Sequence, residues 1–289
     1  MITIITKGGV KEGFGHIMRM IWLLKELKVD GEFVLVEGDR RAKDFIEDNG
    51  FNIKNNLNGE IVFFDMFDVP RNLIKRGWRK VVLFDSTTFN DLVDVSVNAL
   101  VGCQGHGRCY GGLKYLILRK EFHEFWKKNR KIKDELRRIL VIFGGSDPSN
   151  YTARTVRILQ DFDVTAVLGP GFVHDVDLDC RIVFKSNRVA ELMFEHDLVI
   201  TSLGLTMFEA LCVGTPAIAI CQNDTQRWLL KHMPFLKLVF ERFNEDDLRR
   251  VIENLRCAKL RHDLSVWGKS LCDGLGLYRV INIIKREIL

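Results

Sequence analysis

Ile2-Thr3-Ile4-Ile5-Thr6-Lys7-Gly8-Gly9-Val10-Lys11-Glu12-Gly13-Phe14-Gly15-His16-Ile17-Met18-Arg19 opens the chain with a β-branched apolar run, a glycine-rich turn and the start of a helical repeat. The repeat continues through Met20, Ile21, Leu24 and Leu27, whose three- and four-residue spacings lay one apolar stripe on whatever sheet the first run joins. That is the signature of a strand crossing into a helix, and the same signature recurs. Short Val/Ile/Phe runs at 2–6, 33–36, 61–65, 81–85 and 99–102 alternate with helical segments starting at His16 and near Arg40, Pro70 and Asn90. Around 121–136 the chain turns charged, after which strands at 139–143, 164–168, 181–184, 198–201, 217–221 and 238–240 open a second set. The expectation is an α/β protein of two doubly wound, Rossmann-like parallel sheets, residues 1–125 and 126–289, with the last helix packing back on the first domain.

Composition narrows the function. With 289 residues, 47% apolar side chains and 5 prolines, the chain has material for two ordinary cores. The 43 basic and 38 acidic residues are interleaved, as at Lys127-Lys128-Asn129-Arg130-Lys131, so a nucleic-acid partner is not expected. Seven cysteines without regular spacing argue for thiols in a reducing compartment, and the short apolar run at the start lacks the form of a secretion signal. A cytoplasmic protein with no membrane span is expected.

Four turns, each following a strand, carry the chemistry. In the first, Gly13 and Gly15 let backbone approach a ligand, the helix start favours negative charge, and His16 suits a general base; the alternative is a histidine that caps or packs. The spacing departs from a dinucleotide fingerprint, since Met18 stands where the third glycine would fall. In the second, Phe143-Gly144-Gly145-Ser146-Asp147-Pro148, small residues either cradle a phosphate or make a turn with a helix cap. The third, Thr201-Ser202-Leu203-Gly204-Leu205-Thr206-Met207-Phe208-Glu209, sets Thr206 and Glu209 three apart on one helix face, where Glu209 suits a ribose diol or merely a surface position. The fourth, Cys221-Gln222-Asn223-Asp224-Thr225-Gln226, offers amides for a sugar or base, or a helix cap at Asp224 or Thr225. Cys103, His106 and Cys109 fall short of the four ligands of a structural zinc site, and no metal or cofactor is expected.

In order and spacing these segments resemble the UDP-sugar hydrolases of the pseudaminic-acid pathway and their spore-coat polysaccharide relatives. The match lies in Gly15-His16-Ile17-Met18-Arg19, Tyr115-Leu116-Ile117-Leu118-Arg119-Lys120-Glu121-Phe122, Phe143-Gly144-Gly145-Ser146-Asp147-Pro148 and 204–216. Those families are similar to the UDP-GlcNAc transferase of peptidoglycan synthesis, so the resemblance implies a GT-B fold whose two lobes face a cleft holding a UDP-sugar. It implies further that His16 and Asp85 are catalytic, and that Gly13, Gly15, Arg19, Gly145, Ser146, Asp147, Leu203, Gly204, Thr206, Glu209 and Gln226 bind substrate. Hydrolysis of a UDP-linked diacetamido-trideoxyhexose is the implied reaction, with other enzymes of the sugar pathway as implied partners; transfer to an acceptor and noncatalytic binding are the alternatives. One departure bears on the reaction. The tyrosine that the hydrolases carry just after the first-domain aspartate is missing from Asp85-Ser86-Thr87-Thr88-Phe89.

Overall fold

The computed structural model describes residues 1–74, 77–88, 92–103, 108–175 and 177–289. It divides into two compact units, residues 1–119 with 275–289, and residues 120–274.

The first unit contains β1 (Ile2–Gly8), α1 (Gly15–Leu27), β2 (Gly31–Gly38), α2 (Arg40–Asp48), β3 (Asn52–Ile53), β4 (Ile61–Asp65), β5 (Lys80–Phe84), β6 (Val95–Asn98) and β7 (Cys109–Gly111). The second contains α3 (Lys120–Lys127), β8 (Arg138–Ile142), α4 (Tyr151–Arg157), β9 (Asp163–Leu168), β10 (Arg181–Phe184), α5 (Val189–Glu195), β11 (Leu198–Thr201), α6 (Leu205–Val213), β12 (Ala217–Ile220), α7 (Asp224–His232), β13 (Val239–Phe240), α8 (Glu245–Asn254) and α9 (Ala258–Leu271). A final helix, α10 (Gly276–Glu287), belongs to the first unit.

Every named strand pairing in both sheets is parallel. The strand orders, 3-2-1-4-5-6-7 and 10-9-8-11-12-13, each reverse direction beside their first strand. The reversals fall between β1 and β4 and between β8 and β11, and in open α/β sheets ligands bind outside the carboxyl ends of strands at such points.

The stripe of α1 is buried: Ile17, Met20, Ile21, Leu24 and Leu27 share one core with Phe33, Phe63, Phe84 and with Leu277, Val280, Ile281 and Ile284 of α10. Burying five such side chains contributes on the order of 10 kcal/mol of gross hydrophobic stabilisation. The second unit repeats the arrangement around Ile139, Val141, Phe143, Ile200 and Ile218.

The sequence boundary at 125/126 falls inside α3. That helix is tied to the second unit, where Trp126 donates its indole N–H to the Lys269 carbonyl at 3.1 Å and Phe122 is fully buried. The strand expected at 99–102 lies instead at Val95–Asn98, with Ala99 to Val101 in a turn, because Val95 and Val97 supply the alternating apolar positions that dock on the core. Near Pro70 there is a single 3-10 turn, Arg71–Leu73, and the helix expected near Asn90 lies outside the described residues. The expectation of seven thiols is corrected: Cys103 and Cys109 form a disulfide, while Cys180, Cys212, Cys221, Cys257 and Cys272 are free. The start of β7 returns beside the turn after β6 and brings the two Cα atoms to 5.7 Å, within disulfide reach. Their sulfurs are therefore not available as metal-binding thiolates, and His106 lies outside the described residues. No described helix is long and apolar enough to cross a membrane.

Candidate functional site

In the first unit the strand ends converge on one histidine. The loop after β1 closes on itself through paired Gly9 and Gly13 backbone hydrogen bonds of 2.8 and 3.0 Å, and Gly13 takes a φ of +82°, open to glycine and strained for other residues. The chain then enters α1 at Gly15 with no side chain capping the helix start. His16, in the first turn, places Nδ1 2.5 Å from Oδ1 of Asp65, the last residue of β4. Asp65 lies directly across from Thr6 of β1, and the Thr6 hydroxyl donates to the Asp65 carbonyl at 2.9 Å, which fixes the aspartate's backbone beneath the helix. The His16 side chain keeps 19% of its surface exposed, whereas Asp65 has none. The Phe67 ring stands edge-on to the imidazole at 5.4 Å.

Arg19, one helical turn after His16, is only 4% exposed. Its Nε donates to Asp65 Oδ2 at 2.5 Å, Nη2 donates to Asp65 Oδ1, and Nη1 donates to Asp85 Oδ2. Asp85, just past β5, is itself buried, adopts a left-handed φ of +48° and accepts the Leu100 N–H at 2.6 Å through Oδ1. Burial works to raise the Asp65 carboxyl, but Arg19, aided by His16, outweighs it and holds Asp65 below the usual carboxylate range. For Arg19, burial works to lower the guanidinium, and the two aspartates reverse that to leave it raised.

The second unit assembles its edge from neutral groups. A Cβ on Gly144 would stand 3.7 Å from the Ser202 hydroxyl, and Gln222 donates Nε2 to the Phe143 carbonyl at 3.3 Å, so the turns after β8, β11 and β12 meet. Gln226 accepts the Gln222 N–H at 2.8 Å through Oε1, which leaves its Nε2 as the donor, 4.0 Å from where a Cβ on Gly204 would be. Gly204 begins α6 in an extended conformation and no side chain caps that helix. Beneath the turns, Thr201 Oγ1 and Gln222 Oε1 are buried without a hydrogen-bond partner among the described residues. The Gly145 turn is braced from below: a Cβ on Gly169 would fall 2.4 Å from the Gly145 carbonyl oxygen, and Gly171 N–H donates to that oxygen at 2.7 Å.

Within each unit the expected residues lie near one sheet edge, and several of them have protein partners there. Arg19, expected to meet substrate, has its guanidinium buried on Asp65 and Asp85. Asp85, expected to be catalytic, lies against Arg19 and the Leu100 amide. Asp147 caps α4, accepting the Tyr151 and Thr152 N–H groups at 2.9 and 2.8 Å, and burial pushes its carboxyl up despite those bonds. Ser146, Leu203 and Glu209 are buried, and Thr206 is partly exposed on the first turn of α6. The cap of α7 is Asn223, which accepts the Gln226 N–H at 2.9 Å, rather than Asp224 or Thr225. Asp65 was not expected at all. Its signal was an apolar strand ending in aspartate at the same sheet edge as His16 and Asp85.

Comparison with solved structures shows the same two-sheet arrangement along the whole chain. MurG of Acinetobacter baumannii superposes with a TM-score of 0.62 at 12% identity, covering 99% of each chain, and spinosyn rhamnosyltransferase SpnG with 0.58 at 12%, covering 98% of this chain and all of that one. The fold is GT-B. Anabaena HepE, solved with UDP and glucose, shares the GT-B arrangement over the full length of both chains at 11% identity and a TM-score of 0.55. By sequence, the chain is 34% identical to an uncharacterized protein of Methanocaldococcus jannaschii across 78% of its own length, and it spans 56% of that relative. It is 26% identical to the spore coat polysaccharide biosynthesis protein SpsG of Bacillus subtilis, with 98% and 97% of the two chains covered. No family model matches.

Proposed function

We propose that this GT-B chain binds a UDP-sugar and cleaves its anomeric bond, with His16 as the base. The observation that carries this reading is the histidine held on a buried, ionised aspartate at the β1/β4 strand reversal. Imidazole moves protons near neutral pH, and the carboxyl edge at a reversal is where α/β sheets receive ligands. The second unit holds the nucleotide: uncapped N–H groups at the start of α6, the Gly144–Ser146 turn and the Gln226 amide are neutral donors suited to a diphosphate, and Thr206 and Glu209 lie on the same helix for phosphate and ribose.

In hydrolysis, water oxygen bonds to the anomeric carbon, its proton passes to His16, and the bond from that carbon to the β-phosphate oxygen breaks as UDP leaves. An amino-deoxy sugar destined for a surface polysaccharide or nonulosonic acid fits the likeness to SpsG. Transfer to an acceptor hydroxyl is the second reading, favoured by the Ser86-Thr87-Thr88-Phe89 stretch, which lacks a phenol to hold water, and by transferase neighbours of the same fold. Release of UDP from UDP-diacetamido-hexoses and UDP-GlcNAc, measured with and without acceptor, separates the two. No UDP under either condition overturns both.

A further inference from the structure

We propose that Asp65 is the positioning residue that fixes His16 as the Nδ1–H tautomer, leaving Nε2 free to take a proton, and that Arg19 bolts Asp65 to Asp85 so that this orientation is rigid. The proposal rests on the reading in which His16 is the base.

The argument begins with register. Thr6 and Asp65 are cross-strand partners, and α1 leaves β1 through the Gly13 turn, so the first turn of α1 must pass over the end of β4. An ionised carboxylate can only accept hydrogen bonds. At 2.5 Å from Asp65 Oδ1, Nδ1 of His16 therefore carries the hydrogen, since two acceptors at that separation would repel. Arg19 Nη2 also lies 3.3 Å from Nδ1, a longer contact that does not compete with the one to Asp65.

Asp65 has no freedom to turn away. Oδ1 is shared between His16 and Arg19 Nη2, Oδ2 takes Arg19 Nε, and the backbone carbonyl is pinned by Thr6. Arg19 follows His16 by three residues, which puts both side chains on one face of α1 above the same carboxylate. Its remaining arm goes to Asp85, whose other oxygen holds the Leu100 amide. The ends of β4 and β5, neighbours in the sheet, are thereby joined through one guanidinium carried on α1. The negative charge of Asp65 is matched by Arg19, so the carboxylate orients the imidazole by a directed hydrogen bond. Phe67 closes one side of the ring.

The test uses the ligand-free protein labelled with 15N-histidine, with the His16 signals assigned by their loss in His16→Gln. The proposal expects the Nδ1–H pattern for neutral His16 in the wild-type protein. In Asp65→Asn the single amide oxygen is claimed by Arg19 and the NH2 faces the ring, so His16 should switch to the Nε2–H form. With a cleavable UDP-sugar, the same variant should lose about 100- to 10,000-fold in kcat with little change in KM, the scale known for replacing an orienting aspartate by asparagine. An Nε2–H pattern in wild type, or an unchanged pattern in Asp65→Asn, overturns the proposal. Should that variant not fold, the wild-type pattern decides alone. Because the spectrum needs no substrate, a protein with the Nδ1–H pattern but no UDP release would sink the enzymatic reading and leave the Asp65–His16 pairing standing.

Discussion

The two sheet edges are built from opposite materials. Where β1, β4 and β5 end, the first unit buries three formal charges, Asp65, Asp85 and Arg19, under a partly exposed histidine. Where β8, β11 and β12 end, the second unit offers backbone N–H groups, hydroxyls and two interlocked glutamines, and a buried carboxylate there, Asp147, is turned inward to cap a helix. The contrast follows from the tasks proposed for them. A proton acceptor must be aimed, and a buried ion network aims rigidly; an anionic leaving group must be received, and preorganised N–H and hydroxyl donors receive it where its charge develops.

The largest expected effect breaks the first edge. Arg19→Met removes the cation that bridges Asp65 and Asp85, and leaving a buried pair uncompensated costs about 3–5 kcal/mol, measurable by urea denaturation. The corresponding change at the second edge, Asp147→Ala, loses a helix cap and should cost about 1 kcal/mol; equal costs would erase the contrast. Next comes His16→Asn, which should lower the rate of UDP release by about 100-fold or more while UDP binding, followed by thermal shift, stays as it was. Gly169→Ala should do the reverse. Its methyl must displace the Gly145 turn, costing about 1–3 kcal/mol and weakening UDP binding, while the His16 signals in the labelled protein stay in place.

Acid should also distinguish the units. Asp65 lies below its unfolded value near about 3.9, so its contribution is whole above that pH and is lost as pH falls toward the folded value. In the second unit His196, between the Leu192 carbonyl at 2.6 Å and Thr165 Oγ1 at 3.1 Å, is lowered by burial, with the Leu192 bond opposing. A lowered histidine contributes above its unfolded value near about 6.5 and loses that contribution as pH drops below it. His196→Gln should therefore flatten the stability profile just below pH ~6.5 and leave the loss below pH ~4 unchanged. The smallest effect is expected at Thr201→Val, which removes a buried hydroxyl without a partner among the described residues and should change stability by less than about 1 kcal/mol.

Sequence alone determined the two α/β halves, the first strand and helix, and the four turns at strand ends, because an apolar stripe and a glycine-bearing turn are local patterns of period 2 and 3.6. It also singled out His16 and Asp85, yet it read Arg19 as a ligand for substrate and passed over Asp65. Those two roles depend on Thr6 lying opposite Asp65 across 59 positions of chain, a register that no local pattern encodes. The last helix, expected on the first domain, contributes Leu277, Val280 and Ile284 of α10 to the core of the first unit, and which side chains they meet there is set by the tertiary packing. A side chain's chemistry is written in its residue type, but whether it meets solvent, a helix end or another charge is decided by what the fold brings beside it.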